Sequence, residues 1–464
     1  MSWVSGTILH KTPAIWSKES NLPTMESNLS LKELRNILPE LNYSQVFQEM
    51  MDGDIYVNIF LELCKLNSIS EVNIVQGFTA GERANWGREL NEGYFRLDNN
   101  ITFWSLSSPE HLGCFINSNI LMTRGQYPIL HSRLSENRDV TSGCWIHYPA
   151  TAMMFPKIEH VIQNWKESLK KDKQLIMSNI RTFLSSRKGR RWAALKTSLG
   201  ELPPNEVLDR ILHLGLEERL EWSCDSYDVT LVDDFVPQNP KGEIFPGAQL
   251  VQFNKPLPPN AKSSPSRENK FDLIFAGTTI GPTKNHSLLL ELLNHFDQIL
   301  HGRKISLCIL GDEGSLPWFS KSLRSEYSNI EINNIGVVSR EETLNTFSQS
   351  KICLILSGRD CNPRLISEAT SQGCRVIALN LMSDGFQALE SNPSLGKIIE
   401  IPLEEWNFDK QASPFVRASA ELAENILDET FREQTPLFTS MVSRNIFDLE
   451  KSAIEINNSI QIFR

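Results

Sequence analysis

Between Phe271 and Ile401 short apolar runs alternate with amphipathic stretches at a nearly constant interval, and this alternation constrains the fold more than any other feature. FDLIFAG reads as a buried strand, KNHSLLLELLNHFDQIL as an amphipathic helix and ISLCILG as the next strand. The series continues with a helix around 316–327, a strand at IEINNIG, a helix at REETLNTFSQS, a strand at KICLILS, a helix from Pro363 and a strand at RVIAL. Strands separated by single helices cannot pair as hairpins; they require crossover connections, and hence a parallel, doubly wound sheet covered on both faces.

At 464 residues the chain exceeds what one hydrophobic core normally holds, roughly 250 residues, so two domains are expected. The segment LPPNAKSSPSRENK, 257–270, mixes Pro, Ser, Asn and charge without apolar periodicity and reads as the linker. Before it, 71–256 carries strand-like runs at VNIV, ITFWSL, CFI, ILM, WIHY, VTLV and LVQF, with a charge-rich helical insert over 157–223. Residues 1–70 read as a helical extension, with Leu31, Leu34, Ile37 and Leu38 on one face. The second domain is expected over 271–430, with helices at 431–464 returning to the first. The expected class is α/β with two Rossmann-like domains.

The formal charge of −10 argues against a chain that tracks along nucleic acid, which needs an excess of Lys and Arg. No apolar run reaches the roughly 20 residues that cross a bilayer. The start MSWVSGTILHKTPAIW lacks the basic and apolar segments of a secretory leader. The eight cysteines are scattered, without a C-x-x-C pair. A cytoplasmic protein with reduced thiols and without a metal centre is the expectation.

In an open parallel sheet, ligands bind beyond the carboxyl ends of the strands, so the loops after each strand carry the candidates. GTTIGPTKNH, 277–286, offers Gly277 and Gly281 for close backbone approach, hydroxyls at Thr278, Thr279 and Thr283, and a point charge at Lys284 for phosphate. The bland alternative is a strand-to-helix turn with a solvated lysine. In KICLILSGRDCNPRLISEATSQGCRVIAL, Asn362 is a good N-cap and Pro363 suits the first helical position, with the stop near Gly373. Asp360 then lies just before the helix and Glu368 within it, where carboxylates can accept hydrogen bonds from sugar and ribose hydroxyls. The free N–H groups of the helix start can receive a diphosphate. A third loop, LMSDGFQAL, has Gly385 alone and also fits an ordinary turn.

These motifs resemble the carboxyl-terminal half of the retaining GT-B glycosyltransferases that include glycogen and sucrose synthases (glycosyl transferases group 1). The resemblance rests on FAG at 275–277, KN at 284–285, LGDEG at 310–314, IGVVSREE at 335–342, and the acidic pair Asp360 and Glu368, followed by Ala369 and Gly373. It implies that Lys284 holds a donor diphosphate and that backbone at Gly336, Val337 and Val338 contacts the base. It also places Glu368 on the ribose and Asp360 on the transferred sugar. Gly277, Thr279 and Asn362 would line the same site. Where the family has Arg five residues before its Lys, this chain has Thr279, and Asp360 replaces a Glu. Arg364 is either a compensating cation or a surface residue.

The implied activity is metal-independent transfer of a hexose, with retention, from a nucleotide-diphosphate sugar to a glycan or lipid-linked acceptor in polysaccharide biosynthesis; no separate cofactor is implied. An epimerase of the same fold and a non-catalytic nucleotide- or glycan-binding homologue remain open. On the acceptor side the candidates are thin. Arg124 and Gly125 follow a strand-like run, and His147 shares a strand face with Trp145. The segment SSRKGRRWAALK, 185–196, sets five basic residues around Trp192, as either a peripheral membrane contact or a solvated helix face.

Overall fold

The structure is a computed structural model. It describes residues 5–11, 29–42, 54–78, 91–115, 118–124, 143–147, 158–185, 190–220, 229–232, 250–252, 256–257, 269–277, 284–311, 319, 323, 327–357, 364–379, 387–402, 405, 407–408, 414–433 and 435–462. The chain divides into two units, one of Met1–Pro149, Leu220–Asn260 and Asp448–Arg464, the other of Ala150–Arg219 and Ala261–Phe447.

In chain order the first unit starts with β1 (Ser5–Lys11), α1 (Leu31–Ile37), α2 (Ile55–Leu66), β2 (Glu71–Gly77), β3 (Gly93–Arg96) and β4 (Ile101–Leu106). A 3-10 turn over Pro109–Phe115 leads into β5 (Ile120–Arg124) and β6 (Gly143–His147). Helices α3 (Ile158–Ser168), α4 (Lys173–Ser185), α5 (Arg190–Thr197) and α6 (Pro204–Leu220) come next, then β7 (Val229–Val232) and β8 (Leu250–Gln252).

The eight strands form one sheet in the order β3-β4-β2-β1-β5-β6-β7-β8, parallel except for the β3–β4 pair. Successive residues of each strand feed opposite faces. Ile8, Ile74, Phe103 and Met122 pack with Ile59, Phe60 and Leu63 of α2 on one side. Leu9, Val75, Trp104 and Leu121 pack with Leu34 of α1 and Leu38 just after it on the other.

The first 70 residues are therefore not a helical extension alone. β1 lies in the middle of the sheet, with Ile8 in register with both Ile74 and Met122. Its signal is hidden because only Ile8 and Leu9 form an apolar run, and the buried Thr7 is accommodated by a 2.6 Å hydroxyl contact with Ser118. The helical periodicity from Ser30 is present. Ser30 caps α1 in a reciprocal box with Glu33, and Leu34 and Leu38 are buried, whereas Ile37 faces outward. The CF of the expected CFI strand lies in the 3-10 turn.

Helices α3–α6 follow β6 and precede β7 in the chain, yet they group with the second unit. Their core is their own, built on Trp165, Ile180, Phe183, Trp192, Leu208 and Ile211. Trp192 is buried against Phe183 with ring centroids 6.1 Å apart, which removes it as an exposed anchor for a membrane surface.

The second unit continues with β9 (Phe271–Ala276), α7 (His286–Ile299), β10 (Ile305–Leu310), β11 (Ile330–Gly336), α8 (Arg340–Ser348) and β12 (Ser350–Ile355). It then runs through α9 (Leu365–Ser371), β13 (Arg375–Leu379), α10 (Gln387–Ser391), β14 (Gly396–Ile399), the short pair β15 (Asn407–Phe408) and β16 (Pro414–Phe415), α11 (Ala420–Phe431) and α12 (Pro436–Ile446). Helix α13 (Leu449–Ile462) returns to the first unit, where Ile456 enters the core beside α2 and Asn67 donates to Asn457 at 2.9 Å.

Six strands form a wholly parallel sheet in the order β11-β10-β9-β12-β13-β14. Strands added after β9 extend the sheet to one side, and from β12 onward to the other. The order thus reverses between β9 and β12, the place where an open α/β sheet leaves a crevice for a ligand. Of the helix expected around 316–327, only Phe319, Leu323 and Tyr327 lie within the described residues.

Candidate functional site at the strand switch point

Three glycines mark the carboxyl ends of neighbouring strands. The amide of Gly277, after β9, donates to the Leu310 carbonyl at 3.0 Å, and that of Gly311, after β10, donates to the Gly336 carbonyl at 2.9 Å. Gly336 closes β11 with φ +77°, a conformation that other residues rarely adopt. Beyond it Val337 is exposed and Val338 half-buried. A Cβ at Gly277 would meet the Cβ and Cγ of Lys284 at 3.4 Å, so the lysine stem rests against this glycine.

Lys284 is set by its neighbour. Asn285 adopts the left-handed conformation, φ 52° and ψ 48°, and donates from Nδ2 to the carbonyl of Leu356 at 2.7 Å. That bond ties the start of α7 to the end of β12 across the switch point. His286, the first residue of α7, is buried with its ring edge-on to Phe275 and Phe319. Burial, aided by the Lys284 charge, holds its imidazole down to about 4, so the ring is neutral at physiological pH.

Across the switch point, Glu368 is buried in α9. Its Oε1 accepts from Arg340 Nη2 at 2.7 Å and pairs with Arg364 Nε at 2.8 Å. Arg340 opens α8, where Ser339 and Glu342 form a reciprocal capping box that fixes the helix start just after Gly336–Val338. Glu368 and Lys284 both act on one buried sulfur. Burial raises the Cys353 thiol to about 12; the Glu368 charge adds to this and the Lys284 charge opposes it.

Helix α9 begins at Leu365, two residues later than the Asn362-Pro363 signal suggests, although Arg364 already has helical angles. Its end falls where expected. Gly373 is left-handed at φ +83°, its amide donates to Thr370, and that of Cys374 donates to Ala369, a complete Schellman stop.

The structure thus brings Gly277, Lys284, Gly336, Val337, Val338, Arg364 and Glu368 to the carboxyl-end loops or adjoining helices of one sheet. Thr279, Asp360 and Asn362 lie outside the described residues, as does Gly125; Arg124 and His147 end β5 and β6 in the first unit. Arg364, expected as a phosphate cation or a surface residue, is paired with Glu368. Arg340 carries no signal in the sequence: only the fold brings it to Glu368. Among the described residues no group of His, Cys, Asp and Glu is arranged to hold a metal ion, and no helix is long and apolar enough to cross a membrane.

No family model matches the sequence, and no curated protein matches it. Among solved structures, sucrose-phosphate synthase from Thermosynechococcus elongatus is similar over 98% of this chain and 98% of its own, at 11% identity and a TM-score of 0.52. A glycosyltransferase from Rickettsia africae ESF-5 aligns over 98% and 99% at 13% identity, with a TM-score of 0.48. The likeness to the first is one of fold, and it agrees with the architecture expected from the sequence: α/β with two Rossmann-like domains, the GT-B class.

Proposed function

We propose that this chain is a glycosyltransferase that takes a sugar from a nucleotide-diphosphate donor bound by the second unit and passes it to a glycan or lipid-linked acceptor held by the first. The observation that carries the proposal is that Lys284 stands just after β9 and Glu368 in the helix after β12, the two neighbouring strands between which the strand order reverses. The sequence resemblance assigns the donor diphosphate to Lys284 and the ribose to Glu368, which supports this reading.

The chemistry this arrangement offers is electrostatic. Lys284, beside the start of α7, neutralises charge that develops on the departing diphosphate. Gly277 and Gly336 let ligand approach the backbone closely, Glu368 accepts from the ribose, and Asp360 is assigned to the transferred sugar. Metal independence and retention of anomeric configuration follow from the resemblance and belong to the same proposal. So does a cytoplasmic site of action.

The test is to incubate purified protein with a panel of nucleotide sugars and follow nucleoside diphosphate release with and without glycan acceptors. Release that depends on acceptor supports transfer. Interconversion of the sugar without acceptor would make the protein an epimerase, and binding without turnover a nucleotide- or glycan-binding homologue. Glu368→Ala should greatly weaken donor binding; unchanged donor affinity would remove Glu368 from the ribose.

A further inference from the structure

Glu368 is engaged asymmetrically. Arg340 and Arg364 both meet Oε1, at 2.7 and 2.8 Å, while among the described residues Oε2 makes no hydrogen bond. The two cations differ in exposure: the Arg364 side chain, at the residue before α9, is 47% exposed, and that of Arg340, at the capped start of α8, 26%. Removing one partner of a buried ion pair is costly, because the charge that stays behind is left without compensation. Two guanidinium groups on one oxygen supply that compensation and fix the plane of the group.

We infer that Arg340 is a positioning residue for donor recognition: it holds Oε1 of Glu368 so that Oε2 is presented to the ribose hydroxyls, and it links this carboxylate to the Gly336–Val338 loop. The inference rests on the proposed donor site. Because Arg340 lies two residues beyond that loop and its guanidinium ends on α9, the segment assigned to the base and the residue assigned to the ribose are joined by one ion pair.

The prediction concerns a ratio, which separates positioning from mere support of the fold. Affinities for a ribonucleoside diphosphate and for its 2′,3′-dideoxy counterpart are measured by calorimetry across the common bases, in the wild type, R340K and R340Q. The wild type is expected to prefer the ribose form by roughly tenfold or more, as a site built around a hydroxyl does. R340Q should bring the ratio close to one and R340K should keep part of it. An Arg340 that only held α8 to α9 would weaken both ligands by the same factor.

An unchanged ratio in R340Q overturns the role of Arg340 while leaving the donor site standing. A wild-type ratio of one removes the ribose assignment, and this inference with it. Wild-type protein that binds no nucleotide of the panel overturns the functional proposal as well. If R340Q does not fold, R340K decides: a full wild-type ratio supports a charge-only requirement and overturns the need for the planar guanidinium, and a reduced one supports positioning.

Discussion

Asn285 Nδ2 and the Leu356 carbonyl, 2.7 Å apart, join the first loop of the Rossmann-like sheet in the second unit to the end of its fourth strand in sequence. The contact is buried, and it is made by a residue held at φ 52°. Asn tolerates the left-handed region better than other non-glycine residues and supplies the donor that the buried carbonyl requires. Both properties are needed at once, which restricts the position.

Two substitutions separate them. Asn285→Gly keeps the backbone conformation and loses the hydrogen bond, at an expected cost of about 1–2 kcal/mol. Asn285→Ala loses the bond and adds the left-handed penalty, about 1–2 kcal/mol more. Denaturant unfolding of the two variants measures the difference. Equal stabilities would mean that the left-handed conformation stores no strain here.

A second structural test lies at the far side of the same sheet. Gly396 faces Val376 across the β13–β14 pair, and a Cβ there would come 2.0 Å from the Val376 carbonyl oxygen. The obstacle is backbone, which cannot step aside as a side-chain tip would. Gly396→Ala should therefore cost at least about 3 kcal/mol or abolish soluble expression. A melting temperature within a degree or two of wild type would show that β14 pairs differently.

How much of this was legible in the sequence depends on how local the cause is. The strands and helices of the second sheet could be read because each carries its own periodicity, and Gly373 because a left-handed stop needs glycine. β1 was not legible: its burial is decided by β2 and β5, which flank it in space, and two apolar residues give no period. The Arg340–Glu368 pair joins residues 28 apart whose meeting is made by the packing of α8 on α9, and neither residue's neighbours encode it. The burial of Trp192 was hidden for the opposite reason. The basic residues around it are a local signal, whereas its burial against Phe183 is tertiary.

His286 gives a pH dependence with a definite sign. Its folded value, about 4, lies below the ordinary 6.5 because burial, and then the Lys284 charge, disfavour the imidazolium. Between those values the unfolded chain binds more proton than the folded one, so this residue makes stability rise with pH from about 4 to about 6.5. Acidification from pH 7 to pH 5 should cost on the order of 2 kcal/mol through this group alone. Urea midpoints of wild type and His286→Leu at both pH values check it: the variant should lose less on acidification. Parallel losses would place the imidazole in contact with water.

Glu429 acts in a lower window. It is buried on α11 and meets Arg375 at 3.2 Å, Lys397 at 3.3 Å and Arg432 at 3.1 Å, which ties α11 to β13 and β14. Burial alone would raise its carboxyl; Arg375 first, then Lys397 and Arg432, outweigh this and hold it below the ordinary carboxylate value. A depressed folded value means that the contribution is complete above the unfolded value, about 4.3, and is lost as the pH falls through the folded one. Glu429→Gln leaves Arg375, the least exposed of the three cations, beside a neutral partner, and should cost about 3 kcal/mol at pH 7. The gap to wild type should narrow steadily below about pH 4, since acid removes from the wild type the same charge that the substitution removes outright. Unfolding midpoints across pH 3–7 measure it. A gap that stays constant to pH 3 would show that Glu429 contributes by packing and hydrogen bonding, not by its charge.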